Sequence, residues 1–193
     1  GGAARLGAGA GMICALKSSG AVACVAPRPG GGVAVFEVAL ADVQDLAARI
    51  AFCATRKDDT AVCWGVPAPA EDGSLPERSE PVEVAGSKGL TAISVDEIAC
   101  ASDDAGTLYC WDVSELAGGG RVASLGSLGV AGFGGAIQVA VRADVACVRD
   151  TAGVVLCRRP ADDAALPVPG VAGVLDLVAV HGGFCALRTG GWL

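Results

Sequence analysis

Nine cysteines are the residues of this 193-residue chain whose type and spacing most clearly suggest chemistry. Zinc sites usually join cysteines through short spacers and often add histidine, whereas this chain has no Cys-x-x-Cys and a single histidine. Reduced thiol pairs are a further alternative, but the regular spacing favours disulfides. We therefore predict no metal, no other cofactor, and four disulfides between cysteines ten positions apart. The pairs are Cys14 and Cys24, Cys53 and Cys63, Cys100 and Cys110, and Cys147 and Cys157.

The ninth cysteine, Cys185, has no partner at this spacing, because the tenth residue after it would lie two positions beyond Leu193. An unpaired cysteine in an exported chain indicates an intermolecular bond, a free thiol or a missing segment. We favour a missing segment, so that the chain is part of a longer protein. The alternative is a smaller closed ring, or an arc completed by a second copy. In a complete chain, residues 3–10 or another copy should cover the open sheet edge beside Cys185.

Few residues of the chain could support catalysis. His181 has no paired cysteine, and the sequence contains no Gly-x-Ser-x-Gly turn that would hold a nucleophile. The pairs Asp58-Asp59, Asp103-Asp104 and Asp162-Asp163 offer oxygen atoms of the kind that bind calcium. Aspartate is also favoured in turns, where it accepts local backbone hydrogen bonds, and the first two pairs fall in predicted turns. We therefore predict no catalytic residue and no enzymatic activity.

Hairpins must position the cysteine pairs. In the segment from Cys14 to Cys24, the residues Lys17-Ser18-Ser19-Gly20 separate two apolar runs, which predicts a strand, a tight turn and a second strand. The sixth residue after the first cysteine is glycine in four repeats, as a turn with one left-handed position requires, and aspartate in the other. The two cysteines then lie opposite each other on neighbouring strands. These turn residues are Gly20, Asp59, Gly106, Gly153 and Gly191.

The hairpin unit recurs along the chain. Successive first cysteines are 38 to 47 residues apart, and a unit of about 43 residues is the size of one four-stranded propeller blade. Apolar runs at residues 90–95, 136–141 and 174–180 predict inner strands; residues 42–50 also suit a helical face, but their place in the repeat favours a strand. The sequence thus predicts an all-β fold, a β-propeller of four-stranded blades, with about four and a half blades present and one disulfide per blade hairpin. We expect a single domain with blades at residues 3–40, 41–86, 87–130, 131–170 and, in part, 171–193.

Composition narrows the functional classes. Apolar residues make up 52% of the chain but aromatic residues only 4%, so the core must be built from small side chains and the disulfides must add stability. The formal net charge of −7 argues against binding to a phosphate backbone, so we predict no nucleic-acid partner. The chain lacks the run of about 20 apolar residues that a spanning helix needs, so we predict no membrane insertion. Because disulfides form in oxidising compartments, we expect a secreted or cell-surface protein.

Three tryptophans are the largest side chains of the protein. Trp64 and Trp111 each follow the second cysteine of a hairpin, and we predict that both pack between adjacent blades. No spacing argument assigns Trp192 a role beyond exposure or contact with a partner chain.

Several of these motifs resemble a known family. Phe52-Cys53-Ala54, Phe184-Cys185-Ala186-Leu187 and Val62-Cys63-Trp64-Gly65 are similar to the Cys-Ala-Leu-x-x-x-Gly-x-Val-x-Cys-Trp-Gly stretch of bacterial secreted repeats of the regulator-of-chromosome-condensation type. The resemblance covers nearly the whole chain, although the family's Gly-Gln-Leu-Gly turn is absent. It implies a β-propeller in which Pro81-Val82-Glu83-Val84 forms an outer strand. Propellers of this family usually close with seven blades, which would need about 300 residues, so it also implies a longer protein.

These observations lead to one functional prediction. We predict a non-catalytic extracellular propeller that acts as a protein-binding or structural assembly module, with a protein partner or further copies of itself. The binding surface is expected on the long loops 67–80, 114–135 and 159–169, because loops on a rigid scaffold carry recognition. One alternative is a secreted enzyme inhibitor of the same fold, a role that some members of the resembled family have. A nucleotide-exchange or chromatin-binding propeller fits the disulfides and the negative charge less well, and a propeller enzyme is the remaining class.

Overall fold

A computed structural model of the protein describes residues 3–28, 30–66, 73–75, 78–86, 89–116, 125–126, 128–130, 133–159, 162 and 164–192. In these residues the chain forms five β-sheets, each containing three antiparallel strands connected in sequence order. A fourth antiparallel strand is paired with the third in each of the first four sheets. We call the sheets blades 1 to 5 in chain order.

The strands of each blade are as follows. Blade 1 contains β1 (Ala3–Gly9), β2 (Met12–Lys17), β3 (Val22–Pro27) and β4 (Val33–Val38). Blade 2 contains β5 (Val43–Ala48), β6 (Phe52–Arg56), β7 (Ala61–Trp64) and, after the short β8 (Arg78–Ser79), β9 (Val82–Ala85). Blade 3 contains β10 (Leu90–Val95), β11 (Ile98–Asp103), β12 (Leu108–Asp112) and, after a 3-10 turn (Ser114–Leu116) and the short β13 (Leu125–Gly126), β14 (Leu128–Val130). Blade 4 contains β15 (Ala136–Arg142), β16 (Val145–Asp150), β17 (Val155–Arg158) and β18 (Leu166–Pro167), and blade 5 contains β19 (Val174–Val180), β20 (Gly183–Arg188) and β21 (Gly191–Trp192).

Each of the first four blades carries one cysteine pair across its second hairpin. The register places Cys14 opposite Cys24 with their Cα atoms 4.0 Å apart, and the other three pairs are equally opposed at 4.1 Å. All four pairs lie at disulfide distance. Residues 43–48 form a strand, so the helical alternative for this segment is wrong. The predicted fold class, an all-β propeller with one disulfide per blade hairpin, is therefore confirmed.

The blades pack face to face in an arc. Their first strands are innermost, because β1 contacts β5, β5 contacts β10, β10 contacts β15 and β15 contacts β19. Between the blades lie four cores built mainly from alanine, valine and cysteine. Trp64 of blade 2 shares the first core with the disulfide of blade 1, and Trp111 of blade 3 shares the second core with the disulfide of blade 2. Both tryptophans are buried between adjacent blades, in agreement with the sequence analysis.

The turn of each cysteine hairpin is bonded to the next blade. The carbonyl oxygens of Gly20 and Gly153 accept hydrogen bonds from the N–H groups of Val43 and Val174, both at 3.0 Å. Gly20, Gly106 and Gly153 have φ of 83°, 80° and 75°, so the left-handed turn position is present as predicted. A Cβ atom added to Gly153 would also lie 2.7 Å from the Val174 nitrogen. Glycine is therefore required both by the turn and by the neighbouring blade.

Two long loops add short strands to the preceding blade. β8 lies in the loop between the third and fourth strands of blade 2 and pairs in parallel with β4 of blade 1. β13 lies in the corresponding loop of blade 3 and pairs in parallel with β9 of blade 2. We call β8 and β13 the clasp strands, because they cover an outer sheet edge and tie two blades together. Parts of the loops 67–80 and 114–135 thus belong to the scaffold, which narrows the surface that these loops can offer to a partner.

The two ends of the chain differ from simple expectations. Residues 3–9 form the innermost strand of blade 1, so the expectation that residues 3–10 cover the edge beside Cys185 is wrong. A two-residue turn with positive φ at Ala10 and Gly11 returns the chain directly to β2. This short loop costs less entropy to close than a pairing between residues 3–10 and blade 5 would. In blade 5 the turn between β20 and β21 is shorter than the turns of the other cysteine hairpins. It places Leu187 opposite Trp192, so in the same register the position opposite Cys185 lies just beyond Leu193.

Some predictions concern residues that the structure does not describe. The side chain of Trp192, Asp163 and most of the loops 67–80 and 114–135 lie outside the described part of the chain. Among the described residues, no helix has the length and apolar character needed to cross a membrane.

Candidate binding surface

The inner strands place equivalent side chains of neighbouring blades next to one another. The residue opposite each first cysteine is a common reference position, occupied by Gly7, Ala47, Ser94, Ala140 and Val178. We call the position two residues before it the inner layer and the position two residues after it the rim layer. The inner layer consists of Arg5, Asp45, Ala92, Gln138 and Asp176, and the rim layer consists of Gly9, Arg49, Asp96, Arg142 and Val180.

Three charged residues of the rim layer form a chain across blades 2, 3 and 4. The carboxylate of Asp96 forms ion pairs with Nε of Arg49 and with Nη1 of Arg142, the latter at 2.7 Å. The backbone N–H of Ala143 donates a further hydrogen bond to Oδ2 of Asp96 at 2.8 Å. The side chain of Asp96 is 1% exposed, whereas those of Arg49 and Arg142 are 41% and 21% exposed. The two arginines therefore cover the carboxylate and connect three blades at one end of the inner strands.

The environment of Asp96 keeps its carboxyl group ionised. Burial by itself would raise the pKa of Asp96, but the Ala143 N–H and the guanidinium groups of Arg142 and Arg49 outweigh it, and the pKa lies below its ordinary value. A carboxyl group held in the ionised form cannot act as a general acid near neutral pH. The arrangement is suited to holding blades together.

In the inner layer, Asp45 links the first three blades. Its carboxylate forms an ion pair with Arg5 of blade 1 and accepts a hydrogen bond from the Ile93 N–H of blade 3 at 3.2 Å and one from the adjacent Leu46 N–H at 2.8 Å. The strand register shifts next to Asp45 and next to Ala92, and such bulges leave N–H groups outside the regular ladder. Burial raises the pKa of Asp45 above its ordinary value, although Arg5 and the two N–H groups act in the opposite direction.

Gln138 has the equivalent role between blades 4 and 5. Its Oε1 atom accepts hydrogen bonds from the Leu177 N–H at 3.0 Å and from Nε of Arg149 at 2.9 Å, and its Nε2 atom donates to Asp176. Leu177 in blade 5 is equivalent to Ile93 in blade 3, since each directly follows the inner-layer position. The inner layer thus contains the same contact twice. A polar side chain at the bulge of one blade accepts a hydrogen bond from the backbone N–H that the bulge of the next blade leaves outside its ladder.

Four polar residues of the two layers, Arg5, Arg49, Gln138 and Asp176, line an open groove of about 460 Å³ that runs along the inner strands of all five blades. Asp45, Asp96 and Asp176 already have partners within the layers. In the described part of the chain, no group of three His, Cys, Asp or Glu side chains is placed to hold a metal ion. The groove therefore presents partnered polar groups, apolar side chains and backbone, and its polar residues serve the contacts between blades.

The rim layer marks the end of the blades at which exposed turns and long loops meet. The turns between first and second strands lie at this end and expose Glu97, Asp144 and His181. Each third strand runs back to the same end, so the three loops predicted to bind a partner begin there. We call this end the turn rim and consider it the candidate binding surface, because it combines exposed charged side chains with loops on a rigid base.

The aspartate pairs lie mainly at the opposite end, in the turns of the cysteine hairpins. Oδ1 of Asp58 accepts hydrogen bonds from the N–H of Thr60 at 3.2 Å and from its hydroxyl group at 2.6 Å. Oδ1 of Asp103 accepts a hydrogen bond from the Thr107 N–H at 2.7 Å. Asp58 and Asp103 thus accept the local turn hydrogen bonds that were predicted for these pairs.

Sequence reasoning missed the polar residues of the two layers. Their signal is a charged or amide residue within an inner strand or directly after it, at a similar distance before the first cysteine of each repeat. Arg49 and Asp96, for example, each lie four positions before the first cysteine of their blade. Aligning the repeats on the cysteines would have shown this regularity, but not which residues of adjacent blades meet.

Comparison with family models and with curated proteins finds no match. Solved structures that resemble the chain include β-propellers of the RCC1 type. Prp20p from Saccharomyces cerevisiae, which was studied together with its binding to Gsp1p and histones, has a TM-score of 0.66 and 14% identity over 97% of this chain and 56% of its own. Human WBSCR16 has a TM-score of 0.64 and 13% identity over 97% of this chain and 60% of its own. Yeast RCC1 (Prp20) in its complex with Kap60 has a TM-score of 0.63 and 14% identity over 96% of this chain and 54% of its own.

These similarities establish the fold. The class of protein is thus a β-propeller with blades like those of RCC1-type proteins, and the chain spans little more than half the length of the solved propellers that it resembles.

Proposed function

We propose that this chain is a sector of a non-catalytic extracellular propeller that acts as a protein-binding or structural assembly module through its turn rim. The observation that carries the proposal is the anchoring of the long loops. The loop of blade 2 leaves the scaffold after Trp64, next to the Cys63 disulfide, and rejoins it at Arg78 in a clasp strand. Because both ends are fixed to sheets, part of the entropic cost of ordering the loop on binding has already been met by the fold.

The open face of blade 1 supports the view that the chain is part of a longer propeller. Ile13 and Val25 occupy the positions of Phe52 and Trp64, which in blade 2 pack on the cysteine face of the preceding blade. In blade 1 this face is exposed: Ile13 is 53% and Val35 71% exposed. An apolar sheet face of this kind is normally covered. We propose that further blades of a longer chain cover it, in a bacterial secreted relative of the RCC1-type propellers.

Charge and cysteine content support the location and the kind of partner. Four cysteine pairs at disulfide distance fit a secreted or cell-surface protein, because disulfides form and persist in oxidising compartments. The net charge of −7 disfavours a nucleic-acid partner and favours a protein surface that carries basic residues. An inhibitor of a secreted enzyme would be a special case of this proposal. A nucleotide-exchange or chromatin-binding role would gain support if gels with and without reductant showed no disulfides.

Site-specific photo-crosslinking tests the proposed surface. A benzophenone side chain placed at Glu97 or Asp144 on the turn rim should capture a partner in the culture medium or at the cell surface. The matched controls carry the same group at Ser18 or Asp104, which are exposed at the opposite end of the blades. Crosslinks from the turn rim but not from the controls support the proposal. Equal crosslinking from both ends, or none from the turn rim, would contradict it.

A further inference from the structure

Three of the four cores between blades contain a large aromatic side chain. Trp64 lies in the core between blades 1 and 2, Trp111 in that between blades 2 and 3, and Phe133 in that between blades 3 and 4. Each of these side chains is at most 3% exposed. Trp64 also stacks on Phe52, with ring centroids 5.8 Å apart and an angle of 17° between the rings. In blades 2 and 3 the aromatic residue directly follows the second cysteine, whereas in blade 4 that position is Arg158 and the aromatic side chain is Phe133, just before β15. An aromatic side chain packed on the preceding blade is therefore common to these three interfaces, and in two of them the third strand supplies it.

Between blades 4 and 5 the corresponding space is an open cleft of about 680 Å³. It is lined by the disulfide of blade 4 and by Val155 and Phe184. In repeat register these residues are equivalent to the disulfide of blade 1, Val22 and Phe52, which all belong to the core that buries Trp64. The cleft therefore has the walls of the Trp64 site but is not filled by an equivalent side chain among the described residues.

The strand that would supply such a side chain has already begun. In blade 2 the tryptophan is carried by the third strand, directly after the cysteine opposite the first cysteine of the hairpin. In blade 5 the third strand is β21, which pairs with β20 through Arg188 and Gly191 and through Leu187 and Trp192. If β21 continued in this register, its next residues would run alongside Cys185 and then reach the cleft.

We propose that the cleft between blades 4 and 5 is an acceptor site for an aromatic side chain that directly follows a cysteine, carried by the continuation of β21. The cysteine pairs with Cys185, and the aromatic ring packs on the Cys147–Cys157 disulfide beside Phe184. The proposal rests on the proposed function only in taking the chain as part of a longer propeller; it does not depend on the partner or on the turn rim.

A synthetic strand offered to the 193-residue chain provides the test. The probe is a tetrapeptide with the sequence of residues 63–66, Cys-Trp-Gly-Val, whose cysteine is activated as a 2-pyridyl disulfide. It begins at the cysteine because the preceding residues would take the places beside Arg188 and Leu187 that Gly191 and Trp192 already occupy. The thiolate of Cys185 attacks the peptide sulfur, a new disulfide joins the peptide to Cys185, and the old disulfide breaks with release of 2-thiopyridone, which is followed by its absorbance. Because the ring is buried when the strand docks, we expect exchange to be at least about tenfold faster than with the Trp64→Ala peptide.

Two protein variants separate docking from simple thiol reactivity. Ala186→Leu narrows the cleft, since Ala186 lines it, and should abolish the preference for the tryptophan peptide while exchange with the alanine peptide is retained. Ala15→Leu changes the equivalent position of blade 1, far from the cleft, and should leave the preference intact. Equal rates for the two peptides with the unchanged protein, or a preference that survives Ala186→Leu, would overturn the proposal. Neither result would affect the crosslinking test of the turn rim.

The natural protein distinguishes the source of the strand. If the same chain supplies it, Cys185 of the intact protein is resistant to thiol labelling, and a peptide map shows it bonded to a cysteine beyond Leu193 that an aromatic residue follows. Labelling of Cys185 in the intact protein, or a disulfide between Cys185 and a separate chain, would overturn the assignment to the continuation of β21.

Discussion

The indole Nε1 of Trp111 donates a hydrogen bond to Sγ of Cys63, 3.1 Å away across the boundary between blades 3 and 2. Cys63 is bonded to Cys53, so the tryptophan of one blade rests on the disulfide of the blade before it. The disulfide therefore has two roles: it closes its own hairpin and forms the surface on which the next blade packs.

Replacing Trp111 by alanine should lower the free energy of unfolding by about 3–5 kcal/mol, because it removes a buried ring and leaves a cavity between two blades. Trp111→Phe should cost less, since it retains much of the apolar contact and loses the hydrogen bond to sulfur. Denaturant unfolding of both variants measures the difference. A loss below about 1 kcal/mol for the alanine variant would show that the interface does not depend on the ring.

Thiol labelling of the folded chain without reductant should modify at most one cysteine. That residue is Cys185, which is partly exposed and has no disulfide partner in the described residues. Peptide mapping by mass spectrometry identifies the modified positions. The control is the reduced and unfolded chain, in which all nine cysteines should react. Labelling of two or more of the other eight cysteines in the folded chain would contradict the disulfide framework.

Replacing the glycine of a hairpin turn by alanine should destabilise the protein more than replacing a glycine with similar φ that faces open space. Gly153 and Gly173 have φ of 75° and 66°, but a Cβ atom would meet the backbone of Val174 only at Gly153. Gly173→Ala should cost about 1 kcal/mol from backbone strain, and Gly153→Ala should cost more because blade 5 must also move. Thermal unfolding compares the two. Equal melting midpoints would argue against the contact between turn and blade.

Asp96 should make the stability of the protein depend on pH in acid. Its pKa in the folded state lies below the ordinary value of 3.8, so its contribution is fully present above that pH and is lost as the pH falls through the lower folded value. At neutral pH, Asp96→Asn should lower the free energy of unfolding by about 2 kcal/mol, less than a fully buried pair would give because both arginines are partly exposed. The difference between the variant and the unchanged protein should shrink in acid. A difference that is constant across this range would contradict the ion-pair role.

Asp45 should show the opposite dependence. Burial raises its folded pKa above 3.8, so the ionised carboxyl carries a free-energy cost that is relieved as the pH falls through the folded value towards 3.8. In that window the unchanged protein should gain stability relative to Asp45→Asn. Urea unfolding at a series of pH values gives the free energy of unfolding of the Asp45 and Asp96 variants and of the unchanged protein. A loss of stability relative to Asp45→Asn in this window would show that Arg5 outweighs burial.

Local sequence patterns predicted the parts of the fold that depend on neighbours along the chain. The cysteine spacing and the turn glycines predicted the hairpins, and the apolar runs predicted the inner strands at residues 90–95 and 174–180. The pairing of Asp96 with Arg49 and Arg142 could not be predicted from the sequence, because it depends on the register of three separate strands and on bulges that no local pattern reveals. The clasp strands were missed for a similar reason, since a pairing of only two residues leaves almost no signal in the sequence.

The clasp strands also affect how the protein should come apart. In many repeat proteins each unit contacts its neighbours through packed surfaces, and a unit at the end can unfold while the rest remains intact. Here β8, from the loop of blade 2, pairs with the sheet of blade 1, and β13, from the loop of blade 3, pairs with the sheet of blade 2. Unfolding of one blade therefore removes a strand from the sheet before it, so loss of structure should spread towards the N-terminus. A pulling force on the two ends should accordingly release the first three blades together rather than one at a time.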